Sequence, residues 1–600
     1  MTNPFFENSP VSAVVLLGSG RPLSLNGLIV VVGPNSSGKT NLLRDIHAAA
    51  SGISRDFVVA KEIHLRPAST HVQDYLQHFL HTGDIEEFPP QSNTYRKRGH
   101  QIGMQTGGGN QFTGADIQNW FNDLASHVSR PLIGKSRPNQ FLTNIGLLEC
   151  AALFLQQRLA LTDSAPHFDT HQTPPTVAMQ ALRLNQKAQE TFSEEILKVF
   201  RRGVWVDVSS GPTISIKVSE NEEVPSHADR VMPNIVMTYR SIETEGEGIR
   251  SFAAVCLTLL LAQRSLYVIV EPEMCLHPPQ ARSIGRFIGE QGKTVKGCTI
   301  VSTHSSQVLR GILETNPHTT VIRLTRSKGS FQGKQVSSEV LREATRKPFS
   351  RSEIILDGLF SDGVVLCESD GDRVVYESAL NKLPSPRPDI RYTPVGGVGG
   401  FAESVRLYRS LDLPVAISAD LDLLFKGELR DVLSALGTPE ERVADICRRR
   451  NQLTDQIRKV DPELSPKKAI EELGPLLTEA EAWDLEKEAE IRSKINKLVS
   501  RLNRLASLKS NGIDGVPPEH RGEVITLLEQ LNQFGLFLVP HGELESWVPD
   551  LMKDSTSKVN KTLWASEAAR KIEENERGLN DVWDYVESIV TYIKSVLEPN

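Results

Sequence analysis

The chain has 600 residues, too many for one hydrophobic core, so two to four domains are expected. Hydrophobic residues make up 39% and charged residues 24%, the balance of a soluble globular chain, which excludes a disordered or membrane-embedded one. A net charge of −7 excludes a general basic field, so any contact with nucleic acid must be local, through clusters such as Tyr95–His100, Phe200–Gly203 and Cys447–Asn451, each of which also reads as a solvated face.

The opening residues "MTNPFFENSP" lack the basic-then-apolar order of a secretory leader, and none is expected. Cysteines at 150, 256, 275, 298, 367 and 447 are scattered, without a C-x-x-C pair and mostly in apolar runs. That pattern predicts a reducing, cytoplasmic setting with neither a disulfide scaffold nor structural zinc.

In chain order, the first element is a buried strand, "LIVVV" (Leu28–Val32), leading into a Gly-rich turn and the helix-like "TNLLRDIHAAA". From 61 to 235 runs an insertion of mixed character. It holds a flexible loop at Met104–Asp116, helices expected around 143–161 and 176–202, and the strands "VWVDV" and "TISIKV" flanking the turn "SSGP". Alpha/beta character returns at 236–355. There the apolar stretch Phe252–Val270 is interrupted at Gln263, Arg264 and Ser265, so it reads as helix, turn and strand rather than a membrane span. A second strand–turn–helix series occupies 356–424 and 531–600. Between its halves, 425–530 is a charged helical insertion in which Ile491, Ile495, Leu498, Leu502 and Leu505 form a heptad seam. The seam suits a self-packed helical hairpin, or an arm for a partner, closed by the turn "NGIDGVPP" (Asn511–Pro518).

"GPNSSGKT" (Gly33–Thr40) matches G-x-x-x-x-G-K-[ST] between a strand and a helix. The backbone of Gly33, Asn35, Ser36 and Gly38 would wrap the phosphates of ATP, Lys39 would reach the outer ones, and Thr40 would meet the magnesium ion. Three further pieces follow in order: the turn "TEGEGIRSF" with Gly246 and Gly248, the strand "LYVIVEPEMCLHP" ending in Glu271, and the strand "TIVSTHSS" ending in His304. This order resembles the ATPase heads of the ABC and SMC superclass: P-loop, signature turn, Walker B strand, switch histidine. The resemblance implies a head that closes over ATP as a homodimer, each signature turn completing the partner's site. Two positions depart from the pattern. Val270 stands where the first Walker B acid belongs, and the signature turn lacks its usual serine. ATP binding is therefore the expectation, with hydrolysis slow or impaired and Glu271 left to orient the attacking water.

Acids recur at the ends of the later strands. "GVVLCESDGD" (Gly363–Asp372) carries Glu368 at its tip and Asp372 one turn on; "VAISADLD" (Val415–Asp422) ends in Asp420 and Asp422; "LFLVPHGELES" (Leu536–Ser546) ends near Glu543 and Glu545. A further strand runs into the Gly-rich turn of "RYTPVGGVGG" (Arg391–Gly400). Four parallel strands would bring these acids to the edge where open α/β sheets bind ligands. Such a cluster repels itself unless hard cations fill it, so Mg2+ or Mn2+ is expected, held by Glu368, Asp372, Asp420, Asp422, Glu543 and Glu545. Two ions of this kind suit phosphodiester cleavage. The bland alternative is that single acids cap helix N-termini.

The E…DxD order resembles the Toprim domain, and its coupling to an ABC-type head resembles the OLD (overcoming lysogenization defect) family of ATP-binding nucleases, across roughly 1–60, 236–425 and 530–600. The resemblance implies an α/β chain: an ABC-type P-loop ATPase head with a largely helical insertion at 61–235 that dimerises, then a Toprim domain, a Rossmann-like parallel sheet, carrying a helical, coiled-coil-like insertion. It further implies Glu368, Asp372, Asp420, Asp422 and Glu545 as catalytic acids, with Glu543 second to Glu545, and a transition-state lysine at Lys561 or Lys558. Ser369 stands where many Toprim proteins have glycine. The expected function is a metal-dependent DNA endonuclease governed by ATP, active in antiviral defence, dimeric or a pair of dimers, with a partner protein of a defence system and no membrane. RNA is the alternative substrate. An ATP-sensing scaffold with a silent Toprim domain is the alternative class.

Overall fold

The computed structural model describes residues 9–66, 72–82, 85–97, 111–128, 130–144, 149–169, 175, 177–209, 211–262, 264–337, 356–459, 466–479, 494–495, 508, 511–553, 561–578 and 581–598. The chain divides into two units, Met1–Arg342 and Glu343–Asn600.

The first unit is organised by a six-stranded sheet in the order Cys150–Leu153, Leu266–Val270, Cys298–Ser302, Gly27–Val32, Thr320–Ser327, Ser330–Ser337. The first five strands are parallel, and the sixth returns antiparallel as a hairpin. Every residue of Leu266–Val270 and Cys298–Ser302 is buried, which is why these strands read as unbroken apolar runs rather than alternating ones. Helices Lys39–Ser51, Pro278–Gly292 and Ser306–Thr315 supply crossovers that parallel strands require. The stretch from Phe252 to Val270 is the end of helix Glu247–Leu261 and then the strand Leu266–Val270. No helix among the described residues is long and apolar enough to cross a membrane. An antiparallel sheet (Pro22–Ser24, Val11–Leu16, Ala60–Leu65, Leu132–Ile133) shares a core with the parallel one through Val14, Ile63, Leu43, Ile46 and Val268.

The helix expected around 143–161 is not continuous. Gln140–Asn144 is helical, Cys150–Leu153 is the edge strand of the head sheet, and Leu155–Arg158 is one further helical turn. "CAAL" is too short for its periodicity to separate strand from helix, and pairing with the neighbouring Leu266–Val270 decides the matter. The 176–202 stretch forms Ala178–Leu184 and Gln186–Phe200, broken at Asn185, whose side chain caps the second helix through the Ala188 amide. Val204–Asp207 and Thr213–Val218 pair antiparallel as expected. Of the loop expected at Met104–Asp116, residues 104–110 lie outside the described residues, but Gln111–Thr113 is a strand paired with Thr94–Lys97 and Gly114–Asp116 opens the helix Gly114–Val128. The heptad seam, apart from Ile495, also lies outside the described residues.

The P-loop fixes its own sequence. Gly33 has φ 143°, and a Cβ there would lie 2.1 Å from the Leu324 carbonyl oxygen. Gly33→Ala is therefore expected to destabilise the head by on the order of 3 kcal/mol, through overpacking and an unfavourable backbone. Thermal melting together with ATP binding checks this: both should fall, and a variant that melts and binds like the parent would contradict the fold of this loop.

The second unit holds a four-stranded, all-parallel sheet in the order Ile390–Pro394, Gly363–Cys367, Val415–Ala419, Leu536–Leu538. Helices Asp370–Asn381, Lys561–Glu574 and Val582–Leu597 bury Tyr376, Trp564, Trp583 and Ile589 in its core. The chain runs from Gly363–Cys367 to one neighbour, then crosses to the other. That reversal opens a crevice at the C-terminal ends of the two central strands.

Candidate functional site

Glu368 follows Gly363–Cys367 and Asp420 follows Val415–Ala419, so the two acids flank this crevice. The Asp420 amide donates to Glu368 Oε1 (3.2 Å). Behind Ile390–Pro394, Gly396 (φ 78°) and Gly397 (φ 110°) turn their amides onto the Glu368 carbonyl at 3.1 and 3.0 Å, fixing the acid from the other side. Glu368, Asp420 and Asp422 each bring a carboxylate oxygen within 4.8 Å of the others, all half-buried. Burial, reinforced by Asp420, pushes the Glu368 carboxyl up to about 7. Burial also raises Asp372, to about 6, against the Ser369 hydroxyl that bonds to it.

Glu368, Asp372 and Asp420 line a cleft of about 690 Å³ with Gly396, Gly397, Glu545 and Lys561. Asp372 faces the cleft but stands outside the group of three. Its Oδ2 accepts from the Ser369 amide (2.8 Å) and hydroxyl (2.7 Å), a capping box at the start of Asp370–Asn381. Glu543 and Glu545 turn to Lys561, at 3.5 and 2.8 Å. Burial works against the Lys561 charge, but Glu545, Glu543 and Asp420 outweigh it and raise its pKa. Lys558 lies outside the described residues. Lys426 lies 2.9 Å from Asp422, a pairing without a sequence mark, because nothing local distinguishes it from any surface lysine.

Three crowded carboxylates without neutralisation are costly, and they fit a hard divalent cation with oxygen ligands. Glu368→Gln is expected to stabilise the protein in chelator by on the order of 1 kcal/mol, read as a higher melting temperature, and to shrink the rise that Mn2+ produces in the parent. An unchanged Mn2+ shift in this variant would contradict a metal role for Glu368.

In the other unit, Ser36 (φ 62°), Gly38 (φ 97°), Lys39 and Thr40 line a second cleft, of about 470 Å³, with His304, Arg326 and Phe331. Asn35 is exposed on the loop. Lys39 Nζ donates to the Gly33 and Pro34 carbonyls (2.7 and 2.8 Å) and to Ser37 Oγ (3.3 Å). Burial lowers its pKa to about 8, while Glu271 and Glu273 pull it upward. Glu271 Oε1 lies 3.5 Å from His304 Nε2, and this contact lowers the acid's pKa. Glu273, two residues past the strand tip and without a mark of its own in the sequence, accepts from the His304 amide (2.6 Å). Gly246 caps Glu247–Leu261 in extended backbone, and Gly248 packs against the Cys275 carbonyl; neither lines the P-loop cleft. The lysine, the hydroxyls and the left-handed loop fit a nucleotide's phosphates.

Residues 359–422 match the family model for the overcoming lysogenization defect protein-like TOPRIM domain. Among solved structures, an SMC head bound to the C-winged helix domain of ScpA is 11% identical, covering 55% of this chain and 97% of that one at TM-score 0.32. The SMC head domain from Thermotoga maritima is 13% identical, covering 55% and 99% at TM-score 0.27. An ATP-binding subunit of an ABC transporter is 11% identical, covering 56% and 91% at TM-score 0.23. Comparison with curated proteins returns no match. Residues 359–422 thus carry an OLD-like Toprim domain, in a chain whose first unit carries a P-loop on a mostly parallel six-stranded sheet.

Proposed function

We propose that this chain is an ATP-binding, divalent-metal-dependent DNA endonuclease of OLD type, in which the nucleotide state of the head controls assembly or cleavage. The observation that carries the reading is the convergence of Glu368, Asp420 and Asp422 at the crevice of a parallel sheet, inside the matched Toprim segment.

Glu368, Asp420 and Asp422 would hold Mg2+ or Mn2+. A divalent ion bound there supplies Lewis-acid stabilisation of the phosphate and an activated water. The Glu368 carboxylate would stand beside the attacking water, as a ligand to the ion or as the base for that water's proton. Glu543 and Glu545 hold the Lys561 ammonium at the cleft, where it meets charge developing on the phosphate. Asp372 orders the first helical turn beneath Glu368 through Ser369.

In the head, the P-loop binds ATP through its backbone, Lys39 and Thr40. Val270 offers no oxygen, so slow turnover with Glu271 beside His304 is the reading. Because Gly246 and Gly248 lie away from their own P-loop cleft, a second copy completing the site, and so a head dimer, is proposed. A role in antiviral defence follows from the OLD likeness of the Toprim segment.

Incubation of end-labelled duplex DNA, single-stranded DNA and RNA with the protein and Mg2+ or Mn2+ tests the substrate class. Metal-dependent cutting of duplex DNA is expected. Cutting of RNA alone would move the chemistry to RNA, and no cutting of any substrate would favour a scaffold with a silent Toprim domain.

A further inference from the structure

Arg158 belongs to none of the motifs above. It ends the single helical turn Leu155–Arg158 behind the edge strand and is only 2% exposed. Its Nη1 donates to the Glu271 carbonyl (2.9 Å) and to Ser251 Oγ (3.1 Å), and its Nη2 donates to the Val270 carbonyl. One guanidinium therefore grips two consecutive carbonyls at the tip of the Walker B strand. Burial lowers its pKa to about 10, with Glu273 and Glu271 opposing that shift.

A buried cation is expensive to keep for stability alone, since an apolar side chain of the same volume often serves as well. The backbone it holds is unusual. Glu271 has φ 46°, in the left-handed region that non-glycine residues enter only when their surroundings enforce it. Its amide is pinned to the Ser302 carbonyl (2.8 Å) and its carbonyl to Arg158, so the residue is held from both sides. This grip sets the direction in which the Glu271 carboxylate leaves the chain, toward His304. With valine at 270, the side chain before it cannot share that task. Ser251 lies on Glu247–Leu261, the helix that Gly246 caps and whose first turn holds Gly248, so the same guanidinium also ties that helix to the tip.

We propose that Arg158 is a positioning residue of the head's ATP site: it holds the turn that aims Glu271 at His304 and links that turn to the helix that begins at Gly246 and Gly248. The proposal rests on reading the head as an ATP site.

The test uses the full chain with Arg158→Met, which keeps bulk and removes the donors, and with Arg158→Lys, which keeps a cation able to reach a single carbonyl. Hydrogen–deuterium exchange is followed over 268–277 and 300–306, beside ATP affinity, ATP turnover and melting temperature. The expected result for Arg158→Met is faster exchange confined to these two segments, ATP affinity within about twofold, and turnover reduced about 100-fold, with partial recovery in Arg158→Lys. Exchange and turnover equal to the parent's would overturn the proposal. So would loosening across the whole head with lost ATP affinity and a lower melting temperature, since that marks packing alone. If the parent turns over no ATP, the hydrolysis reading fails by itself, and the exchange and affinity measurements still decide the role of Arg158.

Discussion

Asp420→Ala is expected to remove metal-dependent DNA cleavage, with a loss on the order of 10³-fold or more, while leaving the protein folded. Asp420 stands at the tip of Val415–Ala419, half-buried, and its backbone amide donates to Glu368 Oε1. Alanine keeps that amide and the strand. What disappears is one of three carboxylates that share a 4.8 Å neighbourhood, leaving Glu368 and Asp422 to hold a divalent ion that seeks several oxygen ligands. Plasmid cleavage and a melting curve measured on the same preparation separate the two possibilities. A variant that cuts at the parent's rate would exclude Asp420 from the chemistry, and a collapsed melting temperature would mean that the loss reports folding.

Lys39→Ala is expected to weaken ATP binding by about 100-fold, equivalent to roughly 2.7 kcal/mol and in keeping with the loss of charge-assisted hydrogen bonds. Lys39 is buried, and its ammonium is satisfied by the Gly33 and Pro34 carbonyls and Ser37. Phosphate oxygens would compete for the same donors, and burial makes each such bond stronger than it would be in water. Since Lys39 and the acidic cleft belong to different units, the variant should still cut DNA with metal but no longer respond to ATP. Equilibrium binding of a fluorescent ATP analogue measures the first effect, and cleavage with and without ATP the second. A persistent ATP response in Lys39→Ala would contradict control through this loop.

Much of both candidate sites was legible because the signals are local. The P-loop needs glycine at Gly33, where a Cβ would strike Leu324, and a lysine and a hydroxyl six and seven residues on, all within eight residues. The acids of the second unit were legible because each ends a buried run, and parallel strands place every such end at one edge. Asp372 shows the limit of that reasoning: its position one turn after Glu368 serves a ligand and a capping box equally, and only the geometry shows Ser369 holding it. Cys150–Leu153 reads as part of a helix because four apolar residues carry no period, and its strand character comes from a neighbour more than a hundred residues away. Arg158 and Glu273 bond to backbone groups of distant segments, and a carbonyl or amide leaves no trace in a sequence.

The most direct measurement is conversion of supercoiled plasmid by the purified chain in chelator, Mg2+ or Mn2+, each with and without ATP. Nicked or linear product only where a divalent ion is present, at a rate that ATP changes, is the expected result. Cleavage that survives chelator, or none with either metal in any nucleotide condition, would contradict an ATP-governed metal nuclease at Glu368, Asp420 and Asp422.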